Sequence, residues 1–182
     1  YQFYAEHHRR IAAIIQSTGH TVTADRIGKT NQNRSIWSFR IRPNKSKHNS
    51  VFILGGIHPI EWVSPEAAVA LLLQLAQHPL EHTEVIIVPF LNIDRRLVVE
   101  QDLLNHEPKY RRVNSGGEDL NRDYEIHREA TAIWRHLFPE RYTTSTSPLS
   151  QPESQAIDNL FAKEHFNAAV SVHAFGGYIY YP

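Results

Sequence analysis

The hydrophobic and polar positions in the first part of the chain follow a helical period and then a strand-like one. Residues 4–16 repeat isoleucine at helical spacing, which predicts an amphipathic helix. Residues 21–29 and 35–42 come next, and the second segment alternates Trp37, Phe39 and Ile41 with polar side chains. A period of two residues is typical of strands, so the pattern predicts a helix followed by two strands.

Two fully apolar runs, at residues 50–54 and 85–91, predict buried strands further along the chain. A helix is expected between them, beginning at Ser64-Pro65-Glu66. Serine caps helix N-termini, proline suits the first helical position, and a carboxylate is favourable near the positive end of the helix. His78-Pro79 should end this helix.

The second half of the chain predicts two more helices, at residues 125–137 and 152–163, and a strand at residues 168–172. Residues 92–124 show only weak periodicity, and a loop of that length is usually functional or partly structured. Strands that alternate with helices of ten or more residues are typical of a parallel sheet. The order of elements therefore predicts an α/β fold with a largely parallel sheet.

Composition narrows the class of protein only partly. The chain has 182 residues, of which 41% are hydrophobic and 21% charged, so it is long enough for one domain with a sizeable core. Its 19 basic and 19 acidic residues balance. This balance does not favour nucleic acid or an acidic membrane surface as a partner. No apolar run approaches the roughly 20 residues of a membrane-spanning helix.

The chain contains neither Cys nor Met. The lack of Cys excludes disulfides and thiolate metal ligands but leaves the compartment open, with a secreted or periplasmic location as the working guess. The first ten residues include no apolar stretch of the signal-peptide type. Together with the aromatic run that closes the sequence, the lack of Met leads us to expect a piece of a longer protein.

Two histidines and a glutamate follow predicted strands. His58 and Glu61 come just after residues 50–54, and His173 comes just after residues 168–172. The carboxyl ends of parallel strands meet at one edge of a sheet, where α/β folds place their sites. A His-Glu-His set leaves one zinc position open for water, as catalytic zinc sites do. Taken separately, these residues also fit a surface histidine, an unrelated helix-start carboxylate and a histidine at the rim of the core.

A second polar group lies in the long loop. Asp119-Leu120-Asn121-Arg122 offers a carboxylate that could orient a ligand histidine, an amide, and a guanidinium that grips carboxylates through two hydrogen bonds. Arg111, within Tyr110-Arg111-Arg112, adds another cationic point. An ordinary solvated loop is the alternative interpretation of both segments.

At these residues the chain resembles the zinc carboxypeptidases of the carboxypeptidase A type. His58-Pro59-Ile60-Glu61-Trp62, with Gly55-Gly56 before it and Ser64-Pro65 after it, is similar to the family's first zinc motif. Asp119-Leu120-Asn121-Arg122 resembles the family's Asp-x-Asn-Arg motif. The segment Ser171-Val172-His173-Ala174-Phe175, followed by Tyr181-Pro182, resembles its third-ligand segment. The motifs occur in the family's order over essentially the whole chain.

The resemblance implies a three-layer α/β/α fold with a mixed, largely parallel sheet. It also implies one zinc ion per chain, bound by His58, Glu61 and His173. Asp119 would orient His58 through the ring nitrogen that does not bind the metal.

For the substrate, the resemblance implies a peptide or protein C-terminus. Arg111 would polarise the scissile carbonyl, and Asn121 and Arg122 would bind the terminal carboxylate. The implied activity is hydrolysis of the C-terminal peptide bond by a zinc-activated water.

The family's general-base Glu lies beyond its third zinc ligand. Only nine residues follow His173 here, and none of them is acidic. We therefore expect residues 1–182 to be the N-terminal portion of the catalytic domain, without the general base.

Two other functions stay open at this point. One is a zinc amidohydrolase similar to aspartoacylases and desuccinylases, which share the ligand pattern. The other is a non-catalytic domain that binds zinc and peptide C-termini. Family members that trim cell-wall peptides belong to the same reaction class as the leading prediction.

Overall fold

One mixed five-stranded sheet organises the computed structural model. The structure describes residues 1–126, 128, 133–138, 143 and 145–180. The helices are α1 (Tyr4–Thr18), α2 (Val63–Gln77), α3 (Ile93–Leu104), α4 (Trp134–Leu137) and α5 (Pro152–Lys163). The strands are β1 (Val22–Lys29), β2 (Ser35–Ile41), β3 (Asn49–Leu54), β4 (Thr83–Val88) and β5 (Ala168–Ser171).

The strands lie in the order β1-β2-β4-β3-β5. β1 and β4 each pair with β2 in the antiparallel sense, whereas β3 pairs in the parallel sense with both β4 and β5. The sheet is therefore mixed, as predicted, and its parallel part is the part that leads into the candidate site. β5 lies at the edge of the sheet, and all four of its residues are exposed.

The hydrophobic core forms around β3 and β4, whose apolar side chains are almost fully buried. Among the helices, α1 packs on α2, whereas α5 packs on β1. Phe161 of α5 also stacks edge-on against Phe52 of β3, with 5.0 Å between the ring centroids. These layers confirm the predicted three-layer α/β/α class. None of the described helices is long and apolar enough to cross a membrane.

Most predicted elements are confirmed, but residues 92–124 are not one long loop, because they contain the three-turn helix α3. The helix was hidden in the sequence because its buried face is partly charged. Asp94, Arg96 and Glu100 are each at most 6% exposed, at positions where the pattern of an amphipathic helix requires apolar residues.

The helix predicted at residues 125–137 is only partly present. Glu125 and Ile126 form a bend, and the described helical residues are Trp134–Leu137. Residues 127 and 129–132 lie outside the described residues. The start of α2 also differs from the prediction, because the helix begins at Val63, and Ser64 is its second residue and not its cap.

Candidate metal centre

The loop after β3 packs closely against the segment that follows β4. Gly56 has a φ of +66°, and a Cβ atom on it would lie 3.0 Å from both the Phe90 Cα and the Pro89 carbonyl oxygen. Only glycine fits this left-handed conformation and this close approach. Asn92 then donates from Nδ2 to the Ile57 carbonyl oxygen at 3.1 Å. These contacts hold the backbone that leads into His58.

His58, Glu61 and His173 converge as the sequence predicted, with one ligand atom of each within 4.8 Å of the others. Nδ1 of His58 lies 2.7 Å from Oε1 of Glu61, and Nδ1 of His173 lies 3.1 Å from Oε2. The two Nδ1 atoms are 3.2 Å apart. The side chains of His58 and Glu61 are buried, whereas that of His173 is 31% exposed, so the group is accessible from one side.

Asp119 holds the far side of the His58 ring. Its Oδ1 atom lies 3.0 Å from Nε2 of His58, and both side chains are 1% exposed. An ionised carboxylate only accepts hydrogen bonds, so Nε2 carries the proton, and in a neutral ring Nδ1 then presents a lone pair. That lone pair faces the Glu61 carboxylate and the second histidine. Either a proton on Nδ1, which makes the hydrogen bond to Glu61, or a metal cation between these atoms removes the repulsion, so the donor set fits a metal ion.

The charges of the site support this assignment. Burial alone would raise the pKa of Glu61, but hydrogen bonds with His173 and His58 outweigh burial and lower the pKa to about 2. Burial also raises the pKa of Asp119, but the hydrogen bond with His58 and the charge of Arg112 outweigh burial and lower this pKa to about 2. Burial lowers the pKa of His58, but hydrogen bonds with Asp119 and Glu61 raise it overall. Two buried carboxylates are therefore ionised at neutral pH and favour a positive charge between them.

The structure does not bring Arg111 to this group. Its guanidinium forms a two-point pair with Asp102 at the end of α3, at 2.5 and 3.0 Å. The neighbouring Arg112 points to the site instead. Its Nε donates to Oδ2 of Asp119 at 2.8 Å, and its Nη1 lies 4.0 Å from Oε1 of Glu61.

Asn121 and Arg122 lie on the short turn that follows Asp119. The Asn121 backbone N–H donates to Oδ1 of Asp119 at 2.9 Å, so the carboxylate that supports His58 also shapes this turn. Both side chains are half-buried. Asn121 also borders a largely apolar cavity of about 390 Å³ between α5 and the strands β3 and β5.

Sequence reasoning missed two residues of this centre. Arg112 carried a signal, because it stands next to Arg111 in the same basic segment. Ser64 carried a signal that we interpreted as helix capping. Its hydroxyl instead contacts the backbone on both sides of the ligand group, at Gly56 and Val172.

Comparison with known proteins is consistent with this geometry. Carboxypeptidase O from Bos taurus is 23% identical over 192 residues, which cover 94% of this chain and 50% of that protein. Carboxypeptidase A5 from Macaca fascicularis is 26% identical over 174 residues, covering 88% of this chain and 40% of that protein. The chain thus spans about half the length, or less, of these curated relatives.

Solved structures show the same fold. Carboxypeptidase A from Helicoverpa armigera matches with a TM-score of 0.77 at 22% identity, covering 96% of this chain and 46% of that chain. The family model described as zinc carboxypeptidase matches residues 8–182, which is nearly the whole chain. The chain therefore belongs to the zinc carboxypeptidase family.

Proposed function

We propose that the protein to which this chain belongs is a metallocarboxypeptidase that removes the C-terminal residue of peptides or proteins. The observation that carries the proposal is the convergence of His58, Glu61 and His173 within 4.8 Å, in a chain of the zinc carboxypeptidase family. The curated relatives are about twice as long as this chain. We accordingly take residues 1–182 as the N-terminal portion of the catalytic domain.

Zinc is the metal that this ligand set fits best. Two imidazole nitrogens and one carboxylate oxygen are ligands of catalytic zinc sites, which keep a further position open. The partial exposure of His173 leaves an approach to that position. When bound, zinc supplies Lewis acidity and lowers the pKa of a water molecule toward ~7.

The remaining residues of the centre have distinct roles in the proposal. Asp119 keeps the proton of His58 on Nε2, so that Nδ1 is available as a ligand atom. Arg112, and not Arg111, supplies the cation that stabilises negative charge developing on the scissile carbonyl oxygen. The Arg112 Nε is paired with Asp119, but its Nη1 lies 4.0 Å from Glu61, whereas the guanidinium of Arg111 is turned to Asp102 at the end of α3.

Asn121 and Arg122 are proposed to bind the terminal carboxylate of the substrate. They lie on the turn that Asp119 begins, so the same turn supports His58 and presents these two side chains, the carboxylate clamp. A guanidinium binds a carboxylate with two parallel hydrogen bonds. Holding the chain end in this way would place only the last peptide bond at the metal.

Neither carboxylate of the centre is suited to act as the general base, because Glu61 is a ligand and Asp119 is paired with both His58 and Arg112. We therefore propose that the proton acceptor lies outside residues 1–182.

The experiment that tests this function uses the whole protein and two matched peptides, one with a free C-terminus and one amidated. Arg122→Ala should raise KM for the free-acid peptide far more than for the amide. An equal loss on both peptides would remove the proposed role of Arg122.

A parallel assay separates peptide cleavage from the related amidohydrolase chemistry. The whole protein should hydrolyse an N-blocked dipeptide and leave an N-acyl aspartate intact. The opposite preference would favour the aspartoacylase-like function, and binding of zinc and peptide without turnover of either compound would favour a non-catalytic domain.

A further inference from the structure

Ser64 connects the two separate segments that carry the metal ligands. Its side chain is fully buried at the start of α2. Its Oγ atom accepts a hydrogen bond from the Gly56 backbone N–H at 2.9 Å and donates one to the Val172 carbonyl oxygen at 2.6 Å. Gly56 stands two residues before His58, and Val172 stands immediately before His173.

The position of this bridge explains why a side chain is needed there. The parallel pairing of β3 with β5 ends at Leu54 and Ser171, and the Val172 N–H makes the next backbone bond, to the Leu54 carbonyl oxygen at 2.8 Å. Beyond that point the segment after β3 and the segment after β5 share no further backbone hydrogen bond among the described residues. The Ser64 hydroxyl spans the gap and takes the place of a further backbone bond between them.

His173 depends on such support because it follows the exposed edge strand. Its ring nitrogens contact Glu61, His58 and the Ser171 hydroxyl. Of these partners, two belong to the ligand group itself and Ser171 is exposed. The buried hydroxyl of Ser64 therefore transmits the rigidity of α2 to a segment that is otherwise at the surface.

We propose that Ser64 is a positioning residue that sets the distance between His173 and the pair formed by His58 and Glu61, and thereby sets the affinity of the site for zinc. This inference rests on the zinc site of the proposed function. Metal ligands must be held within a few tenths of an ångström of their required geometry, which rotamer and backbone support provides.

The test uses the whole protein and Zn²⁺ alone, with the dissociation constant measured by competition with a chromophoric chelator. Ser64→Ala should weaken zinc binding by about 10–100-fold, the usual effect of removing a group that supports a ligand. Ser64→Thr, which keeps the hydroxyl and adds a methyl group, should lose less affinity than Ser64→Ala. The matched control is Ser50→Ala, because Ser50 is also buried on β3 and its hydroxyl has no partner among the described residues.

Two further readouts separate positioning from general stability. Near-ultraviolet circular dichroism gives the folded fraction, and the visible spectrum of the Co²⁺-substituted chain reports ligand geometry. A Ser64→Ala variant that is less stable, yet binds zinc as tightly as the wild type with an unchanged cobalt spectrum, would overturn the proposal. Failure of the wild type itself to bind zinc would overturn the metal site as well, which is a distinct result.

Hydrogen exchange on the wild type tests the proposal even if both variants fail to fold. Coupling between two sites is reciprocal, so zinc should slow exchange of the Gly56 amide if the Ser64 bridge supports the ligands. Zinc protection of the Glu61 amide without any change at Gly56 would contradict the proposal.

Discussion

Oδ1 of Asp119 lies 3.0 Å from Nε2 of His58, although 61 residues separate the two in sequence. The opposite nitrogen of the same ring is 2.7 Å from Glu61. One buried histidine thus joins the loop after β3 to the loop that carries Asn121 and Arg122. The orientation of a metal ligand and the shape of the proposed carboxylate clamp therefore depend on the same carboxylate.

Asp119→Asn should weaken zinc binding by about 10–100-fold, because the neutral amide holds His58 less firmly and does not enforce its tautomer. Chelator competition on the whole protein measures the change. Asp25→Asn, an exposed carboxyl on β1, is the matched control and should leave the affinity unchanged. Equal affinities for wild type and Asp119→Asn would show that Asp119 is not required to support the ligand.

His173→Ala should abolish stoichiometric zinc, because only His58 and Glu61 would remain as ligands. Metal analysis after gel filtration measures the zinc content per chain. His165→Ala removes an exposed histidine outside the ligand group and should retain one zinc. A full zinc complement in His173→Ala would disprove the ligand assignment.

Arg112→Gln should lower kcat of the whole protein by about 10²–10³-fold at saturating zinc, if its guanidinium stabilises the carbonyl oxygen as a single oxyanion donor does. Arg111→Gln is the natural comparison, since it removes the adjacent cation but breaks only the pair with Asp102. That pair lies near the surface, so its loss should change stability little. A larger loss of kcat in Arg111→Gln than in Arg112→Gln would show that Arg111 stabilises the carbonyl oxygen.

Asp94→Asn should lower the free energy of unfolding by about 2 kcal/mol at pH 7, because it removes the charge from a buried carboxylate that accepts four hydrogen bonds. The Asp94 carboxylate is 1% exposed and accepts hydrogen bonds from Thr30, Gln32, Arg34 and Ser115. Urea unfolding of the zinc-free chain measures the difference.

The effect of Asp94→Asn on the free energy of unfolding should be smaller at acidic pH. Burial raises the pKa of Asp94, but the hydrogen bonds outweigh burial and lower it. An unfolded Asp titrates near pH 3.9, so the stabilisation is present above about pH 4 and is lost as the pH falls through the lower folded value. If the difference in free energy of unfolding between wild type and Asp94→Asn stays constant down to pH 3, the carboxylate charge is not its cause.

The regular elements were largely predictable because their hydrophobic patterns are clean. β3 and β4 each end in four consecutive apolar residues, and α5 begins at Pro152 as its sequence indicates. α3 was not predictable, because charged side chains take core positions on its buried face and are paired only in three dimensions. Asp94, for example, accepts hydrogen bonds from Thr30 and Arg34, and the Arg96 guanidinium lies 3.5 Å above the Trp62 ring.

The candidate site was predictable where strand ends determine position, as for His58, Glu61 and His173. It was not predictable where side-chain direction decides between neighbours. Arg111 and Arg112 are chemically identical, and only the backbone of the loop sends one to Asp102 and the other to Asp119. Ser64 shows a related limit, since its hydroxyl could cap a helix or bridge two loops, and a single sequence does not distinguish these uses.

The edge position of β5 has a consequence for handling the protein. This strand pairs with β3 on one side, and its exposed residues include Val170, which is 48% exposed. An open strand edge is a template on which other chains can add strands. Because His173 follows β5, a metal ion bound to all three ligands would act as a cross-link from this edge to the buried centre of the sheet. For residues 1–182 on their own, removing the metal should therefore promote self-association through this edge.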